Sequence, residues 1–278
     1  MQKQRIVLFL IRFLIHNPRI FLIALLLGGL SYSYEVFIAR EAMSFGGIPQ
    51  STQTSLTTFT RIFRNDAYMV GYSDIRGNPL WVVYRLDASC DKGAHLKRPD
   101  NFTTDWRTLG LVTSEDYSHS GYDRGHMAPN HAIALCYGKQ AQAQTFLMSN
   151  ITPQKPTLNQ KLWQRLEAME IDEFLPKFKT LWVYTGPIFN EEAKKLKNSF
   201  IVEIPVAFYK IYIGIQEDGT MKSLAFMIPQ NAKPYDSLEK YLVSIDDIEA
   251  ASGLNFLPNL EKNQEIHLEK QKRVAGWF

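Results

Sequence analysis

The chain has 278 residues, of which 45% are hydrophobic and 13% aromatic, and its formal net charge is +3. That composition excludes a disordered or collagen-like chain and supplies enough apolar side chains for a full core. The mild positive balance permits a polyanionic partner without demanding one, and the two cysteines, Cys90 and Cys136, lack the spacing of a zinc motif and leave either one disulfide or two thiols.

The N-terminus reads as an export or anchoring segment. Lys3, Arg5, Arg12 and Arg19 precede the uncharged run 20–34, and no acidic residue occurs before Glu35. The run is shorter than the roughly 20 residues a spanning helix needs, but the apolar residues 36–39 extend it. A long basic region with its own mostly apolar stretch, 6–15, favours a retained anchor. Weak small-residue sites around Gly29 to Ser33 keep a cleaved signal open, and a mitochondrial presequence is a third fate. Pro18 and Arg19 argue against a helix buried in a globular core. Arg12 and Arg19 before the run, against Arg40 alone close after it, predict a cytoplasmic N-terminus and a domain outside, in a periplasm-like space. We therefore expect an anchor or signal over 1–40, a Gly-, Ser- and Thr-rich linker over 41–60 and the folded domain over 61–278.

Residues 68–72 and 79–86 are aromatic and β-branched, and predict two strands joined by a turn at Gly77. Residues 87–115 are polar and irregular; within them Arg98 precedes Pro99 in extended backbone and by itself reads as a surface cation. Residues 139–149 read as a short helix passing into a strand, and 150–156 as a loop fixed by Pro153 and Pro156. A helix follows, capped by Thr157, with Leu158, Leu162, Leu166 and Met169 on one stripe and Asn159, Trp163 and Glu167 on the next. Residues 180–187, 207–216 and 223–229 are further strands, with Gly214 at a bulge or a crowded backbone. A late helix over 244–251 opens at Ser244 and carries Asp246 and Asp247 in its first turn. The order of elements lacks regular βαβ alternation, so the fold class is a mixed α+β.

The stretch 120–130 gathers Asp123, Arg124 and His126 within four positions. An arginine fork matches phosphate oxygens, a histidine titrates near neutrality, and Gly125 lets backbone pass close to a ligand. Each residue alone is an ordinary loop polar group, so the site depends on distant partners. If the strand carrying 123–126 packs beside the 150–167 segment, an Asn oxygen and a Glu carboxylate face an imidazole and an arginine. Such hard oxygen ligands suit a largely hydrated Mg²⁺, and the set can cut phosphodiesters.

Taken together, Tyr122-Asp123-Arg124-Gly125-His126-Met127-Ala128-Pro129, the 146–154 block, Leu158-Asn159-Gln160, Trp163 and Leu166-Glu167 resemble the DNA/RNA non-specific endonucleases. That family includes secreted bacterial sugar-non-specific nucleases and mitochondrial endonuclease G. The likeness runs from about residue 47, through Trp81–Tyr84 and Tyr184–Pro187, to at least Gly253. It implies a mainly antiparallel central sheet flanked by helices, with a ββα-metal active site. It also implies that His126 is the general base, that Asn159 is the direct protein ligand of one Mg²⁺ (Mn²⁺ substituting), and that Glu167 holds the ion's water. Asn159 and Glu167 lie eight residues apart, about 12 Å along a helix axis, which suits that division. Arg98 then stabilises the transition-state phosphate, Arg124 faces phosphate, and Asp123 and Asn150 support the site. Many members carry Arg one helical turn after the motif glutamate; here that position is Ile171, so that phosphate contact is either absent or supplied from elsewhere, such as by Arg165.

The expected activity is metal-dependent hydrolysis of DNA and RNA with little sequence preference, leaving 5′-phosphate ends, since no base-reading module is present. The rivals are a catalytically inactive membrane-tethered nucleic-acid-binding protein for DNA capture or uptake, and an envelope protein that shares the fold. The joint presence of His126, Asn159 and Glu167 weighs against the first, and the second should show neither cleavage nor salt-dependent DNA binding. The partners expected are DNA, RNA and, through the N-terminal segment, a membrane; a homodimer and an inhibitor protein stay undecided.

Overall fold

Alternation along the strands organises the molecule. In Thr180–Ile188, Leu181 and Val183 enter one core while Trp182 and Tyr184 enter another; in Ala207–Ile215, Phe208 and Tyr212 oppose Tyr209, Ile211 and Ile213. A strand with both faces apolar needs cover on both sides, so these strands lie at the centre of a sheet sandwiched between helices.

The computed structural model describes residues 12–13, 15–90 and 96–278 and resolves two units, Met1–Ala42 and Met43–Phe278. In the first unit, α1 (Pro18–Tyr34) starts with a proline in its first turn and continues into a π-type turn at Glu35–Ala39. None of the residues of α1 is buried. The helical stretch Pro18–Met43 reaches a mean hydropathy of 1.7 and is long and apolar enough to cross a membrane. Lys3, Arg5 and most of the 6–15 stretch lie outside the described residues.

In the second unit the strands are β1 (Gln50–Ser51), β2 (Arg61–Arg64), β3 (Tyr68–Ser73), β4 (Asn78–Asp87), β5 (Asp123–His126), β6 (Ile151–Gln154), β7 (Thr180–Ile188), β8 (Ala207–Ile215), β9 (Met221–Pro229), β10 (Leu242–Val243) and β11 (Leu254–Asn255). A seven-stranded sheet runs β10-β9-β8-β7-β4-β3-β2 with every pair antiparallel, which makes the fold the expected α+β. One face is covered by α2 (Asn130–Gln144) and by α3, a continuous helical run of Leu158–Trp163, Gln164–Met169 and Glu170–Phe174. The other is covered by α4 (Ile245–Ser252), β11 and α5 (Lys262–Glu269) through Ile245, Ile248, Leu254 and Leu268. β1 pairs with β11, and β5 pairs with β6 as a separate ribbon.

Several local expectations hold. Ser244 accepts from the Asp247 N–H in a capping box that opens α4, and Gly253 closes it in the left-handed conformation. Gly214 marks a crowded backbone and not a bulge: its pairing with Leu181 is in register, and a Cβ there would lie 2.5 Å from the Phe178 ring. Leu158, Leu162 and Leu166 form the buried stripe of α3, with Met169 half-buried beside them. Truncating Leu162 to Ala costs about 2–5 kcal/mol.

Three expectations are corrected. Residues 151–154 form β6 and not a loop, because the ribbon bonds Met127 N–H to the Asn150 carbonyl and continues past Pro153, opposite Arg124. Residues 130–144 are a helix kinked at Gly138 (φ 78°), and residues 148–150 a single tight turn, so no strand follows there. Thr157 is already helical and makes no cap, since the helical backbone begins with Pro156, whose missing N–H costs nothing at a first turn.

Candidate active site

β5, β6 and α3 form a ββα unit whose parts are fixed before any side chain reaches the cavity. Thr152 Oγ1 donates to Asn78 Oδ1 at 2.8 Å, and Gln230 clamps β6 by donating to the Pro153 carbonyl and accepting from the Lys155 N–H. Gly125 makes room for the Gln154 side chain, which lies over it: a Cβ at Gly125 would stand 2.1 Å from Gln154 Oε1, so a larger residue requires Gln154 to move. Asn150 is fully buried and wholly engaged. It accepts from the Ala128 N–H (2.9 Å) and donates to the Ala128 and Thr145 carbonyls, fixing the turn that ends β5.

The unit opens onto a cavity of about 320 Å³ whose lining includes Arg98, Arg124, His126, Asn159, Gln160 and Glu167. Of the residues expected at the site, five therefore share one cavity; Asp123 stands behind it and Asn150 beneath it. Asp123 Oδ2 accepts from the side-chain amides of both Asn159 (2.9 Å) and Gln160 (2.8 Å). With its nitrogen held this way, Asn159 presents its Oδ1 on the other side of the amide.

His126 sits between two phenyl rings, with centroids 4.9 Å from Phe146 and 5.4 Å from Phe102. Its Nε2 is enclosed and has no hydrogen-bond partner. Burial, with the positive charge of Arg98 second, pulls the imidazole down to about 3, so the ring is neutral at physiological pH. The same rings organise the cations. Arg98 is exposed and stands over Phe146 at 5.2 Å; Arg124 stands over Phe102 at 5.7 Å and donates to the Ser114 carbonyl at 2.6 Å.

Glu167 enters from α3, and its Oε1 is buried without a hydrogen-bond partner. Burial chiefly, then Glu170 nearby, push its carboxyl up to about 7 against the opposing pull of Lys210. Behind it lies a network that sequence reasoning missed. Lys210, fully buried in the middle of β8, is bonded to Glu170, stands 3.9 Å from Glu167 Oε1 and lies 5.0 Å from the Trp163 ring centre. Glu170 also accepts from Tyr84 (2.7 Å) and Tyr212 (3.0 Å). The available signal was a single lysine inside the apolar strand Ala-Phe-Tyr-Lys-Ile-Tyr-Ile-Gly-Ile, at an inward register position where a cation requires a buried acid.

Ile171 is a core residue, packed in the cluster with Leu166 and Phe174, so it leaves no cation at that point of α3. Arg165 does not replace one: it faces away and donates to the Asp236 carbonyl at 2.6 Å. The donor set fits a hard divalent cation, because Asn159 offers an amide oxygen oriented by Asp123 and Glu167 offers a buried carboxylate oxygen that accepts no hydrogen bond and has Lys210 3.9 Å away. A larger open groove, about 730 Å³, runs past Lys222, His267, Lys270 and Arg273, but it has no carboxylate in its lining and size does not locate the chemistry.

The sequence profile of a family described as DNA/RNA non-specific endonuclease matches residues 50–263. A nuclease from Nostoc is 31% identical over 233 residues, which cover 80% of this chain and 82% of that protein. Human mitochondrial endonuclease G is 32% identical over 211 residues, covering 70% and 69%. Among solved structures, a chain in the crystal structure of the EndoG/EndoGI complex has the same fold, with a TM-score of 0.65 at 24% identity over 73% of this chain and 88% of that one.

Proposed function

This chain belongs to the DNA/RNA non-specific endonuclease family and is a nuclease, and on that premise we propose that it is a Mg²⁺-dependent endonuclease acting on DNA and RNA with little sequence preference and leaving 5′-phosphate ends. The observation that carries this reading is the convergence of a neutral imidazole, two arginines, an oriented amide oxygen and a carboxylate oxygen that accepts no hydrogen bond on one cavity.

In the proposed reaction Arg98 and Arg124 bind the non-bridging phosphate oxygens; Phe146 and Phe102 beneath them keep both guanidiniums at the cavity. Burial holds the His126 ring low first and the Arg98 charge second, and the phosphodiester's own negative charge offsets the second of these. The imidazole takes a proton from water as its oxygen bonds to phosphorus; the bond to the 3′ oxygen breaks, and that oxygen is protonated from solvent. The arginines stabilise the added charge of the pentavalent state. Asn159, with Glu167 behind it, would hold a divalent cation, which when bound would supply Lewis-acid stabilisation of the leaving oxygen. Asp123 keeps the Asn159 amide in the ligand orientation, and Asn150 keeps β5 in register with β6.

We also place the catalytic domain outside the cytoplasm, tethered by the N-terminal segment. The support is the apolar stretch Pro18–Met43 and a disulfide between Cys90 and Cys136, a bond that persists in oxidising compartments. Removing about 45 N-terminal residues is expected to give a soluble, active enzyme.

The test is hydrolysis of supercoiled plasmid, single-stranded DNA and RNA by the purified protein with and without chelator. Cleavage of all three, abolished by chelator and weakened steeply by salt, is expected. Salt-dependent binding without cleavage would instead identify a tethered nucleic-acid-binding protein.

A further inference from the structure

On the sheet face away from the candidate active site, α4 and α5 bring together several acids, with Lys262 nearby and itself bonded to Glu265. Asp246, Glu249 and Glu269 each offer a carboxylate oxygen, and these oxygens lie within 4.8 Å of one another. Asp246 is exposed, Glu249 is half-buried, and Glu269 forms the floor at 6% exposure. The Oε1 of Glu269 is enclosed and has no hydrogen-bond partner. Nearby charges do not resolve this. Lys262 is bonded to Glu265 at 2.8 Å, and Lys272 approaches Asp247, which is itself committed to the cap of α4. Glu249 accepts from the Phe256 N–H at 2.8 Å, which leaves its other oxygen for the cluster.

We propose that Asp246, Glu249 and Glu269 form a Ca²⁺ site that staples α5 to α4, distinct from the active-site cation. An unpaired buried carboxylate facing two others is unfavourable unless a cation joins them. The three oxygens lie within 4.8 Å of one another, close enough for one divalent ion to take a ligand from each, and three carboxylates in an irregular arrangement suit Ca²⁺, whereas Mg²⁺ demands near-ideal octahedral geometry and keeps most of its waters. The exposed side of Asp246 leaves room for the waters that complete a Ca²⁺ shell of about 6–8 oxygens.

The site matters for the far end of the chain. Leu268, beside Glu269, seats α5 in the core, and Trp277 farther on packs against Phe174 and Phe178 on the opposite face, where Lys177 donates to its carbonyl at 2.7 Å. A staple at α5 thus holds the root of a tail that buttresses the end of α3.

The experiment is thermal unfolding of the full chain in detergent, titrated with CaCl₂ or MgCl₂ in an Asn159→Ala background that removes the active-site ligand. A Ca²⁺-induced rise in Tm of about 5–10 °C at a hundredfold excess over Kd is expected, with a smaller rise from Mg²⁺. Glu269→Gln added to that background should abolish the Ca²⁺ rise, and Asp246→Asn, at an exposed position that tolerates substitution, should weaken it at least tenfold in Kd. In the otherwise wild-type chain, Glu269→Gln should leave plasmid nicking within about twofold. An unchanged Tm on adding Ca²⁺, or an equal rise in either acidic variant, overturns the site. Nicking is read separately, so failure here leaves the nuclease reading standing and the reverse also holds.

Discussion

The two faces of the seven-stranded sheet each bury a carboxyl held near pH 7, Glu167 beneath the candidate active site and Glu269 between α4 and α5, and they do so in opposite electrostatic company. Around Glu167 the chain supplies its own compensation: Lys210 is 3.9 Å away and Arg98 faces the same cavity. Around Glu269 burial acts first and Glu249, Glu265 and Asp246 all push the same way, with Lys262 the opposing charge. The difference teaches that burial of an acid does not by itself identify catalysis. An acid beside a buried cation and an open cavity is poised for substrate, whereas an acid among acids is a demand for a counter-ion.

The largest effect expected falls on the active face. His126→Ala, which removes the proposed proton acceptor, should lower turnover on the order of 10²–10⁴-fold in a nicking assay. Next comes the buried network. Lys210→Met strands Glu170 in the core and should destabilise the fold by about 3–5 kcal/mol in urea unfolding, while Lys210→Met combined with Glu170→Gln recovers most of that loss. If the single variant is as stable as wild type, Lys210 does not compensate the acids and the contrast between the faces fails. A smaller effect belongs to Asp123→Ala, which frees the Asn159 amide to rotate; the metal concentration for half-maximal rate should rise about 10–100-fold with little change at saturation.

The weakest expected effects are in pH, and they have opposite signs on the two faces. His126 titrates near 3 when folded against about 6.5 when unfolded, so the unfolded chain binds more protons between those values and stability falls as pH drops through that window. Glu269 is raised, so the folded chain holds the extra proton; its contribution is full below about 4.5 and is lost as pH rises through about 7. With chelator present, Glu269→Gln should therefore exceed wild type above pH 7 by on the order of 1–2 kcal/mol, allowing for screening at the open side of the cluster, and match it near pH 4. Calorimetric melts across pH 4–8 read both slopes.

How much of this was legible in the sequence depended on whether the cue was local. The strands Tyr68–Ser73, Asn78–Asp87, Thr180–Ile188 and Ala207–Ile215 announced themselves by aromatic and β-branched runs, and Ser244 announced α4 by a capping pattern. β6 was hidden because Pro153 and Pro156 read as loop signals, while the strand is held by distant Asn78 and Gln230. α2 was hidden by Gly138 at its kink. The motif residues pointed to phosphate chemistry, but Lys210 and Glu170 are 40 residues apart and meet only because β8 faces α3. Asn150 showed its sequence position and not its work, which is to bond the backbone at Ala128 and Thr145.

The assignment of roles is tested most directly by measuring cleavage rate against Mg²⁺ concentration for wild type, His126→Ala and Asn159→Ala side by side. The account predicts that His126→Ala loses rate at every metal concentration with an unchanged half-saturation point, and that Asn159→Ala needs far more metal to recover any rate. A shifted metal requirement in His126→Ala with an unshifted one in Asn159→Ala would contradict it.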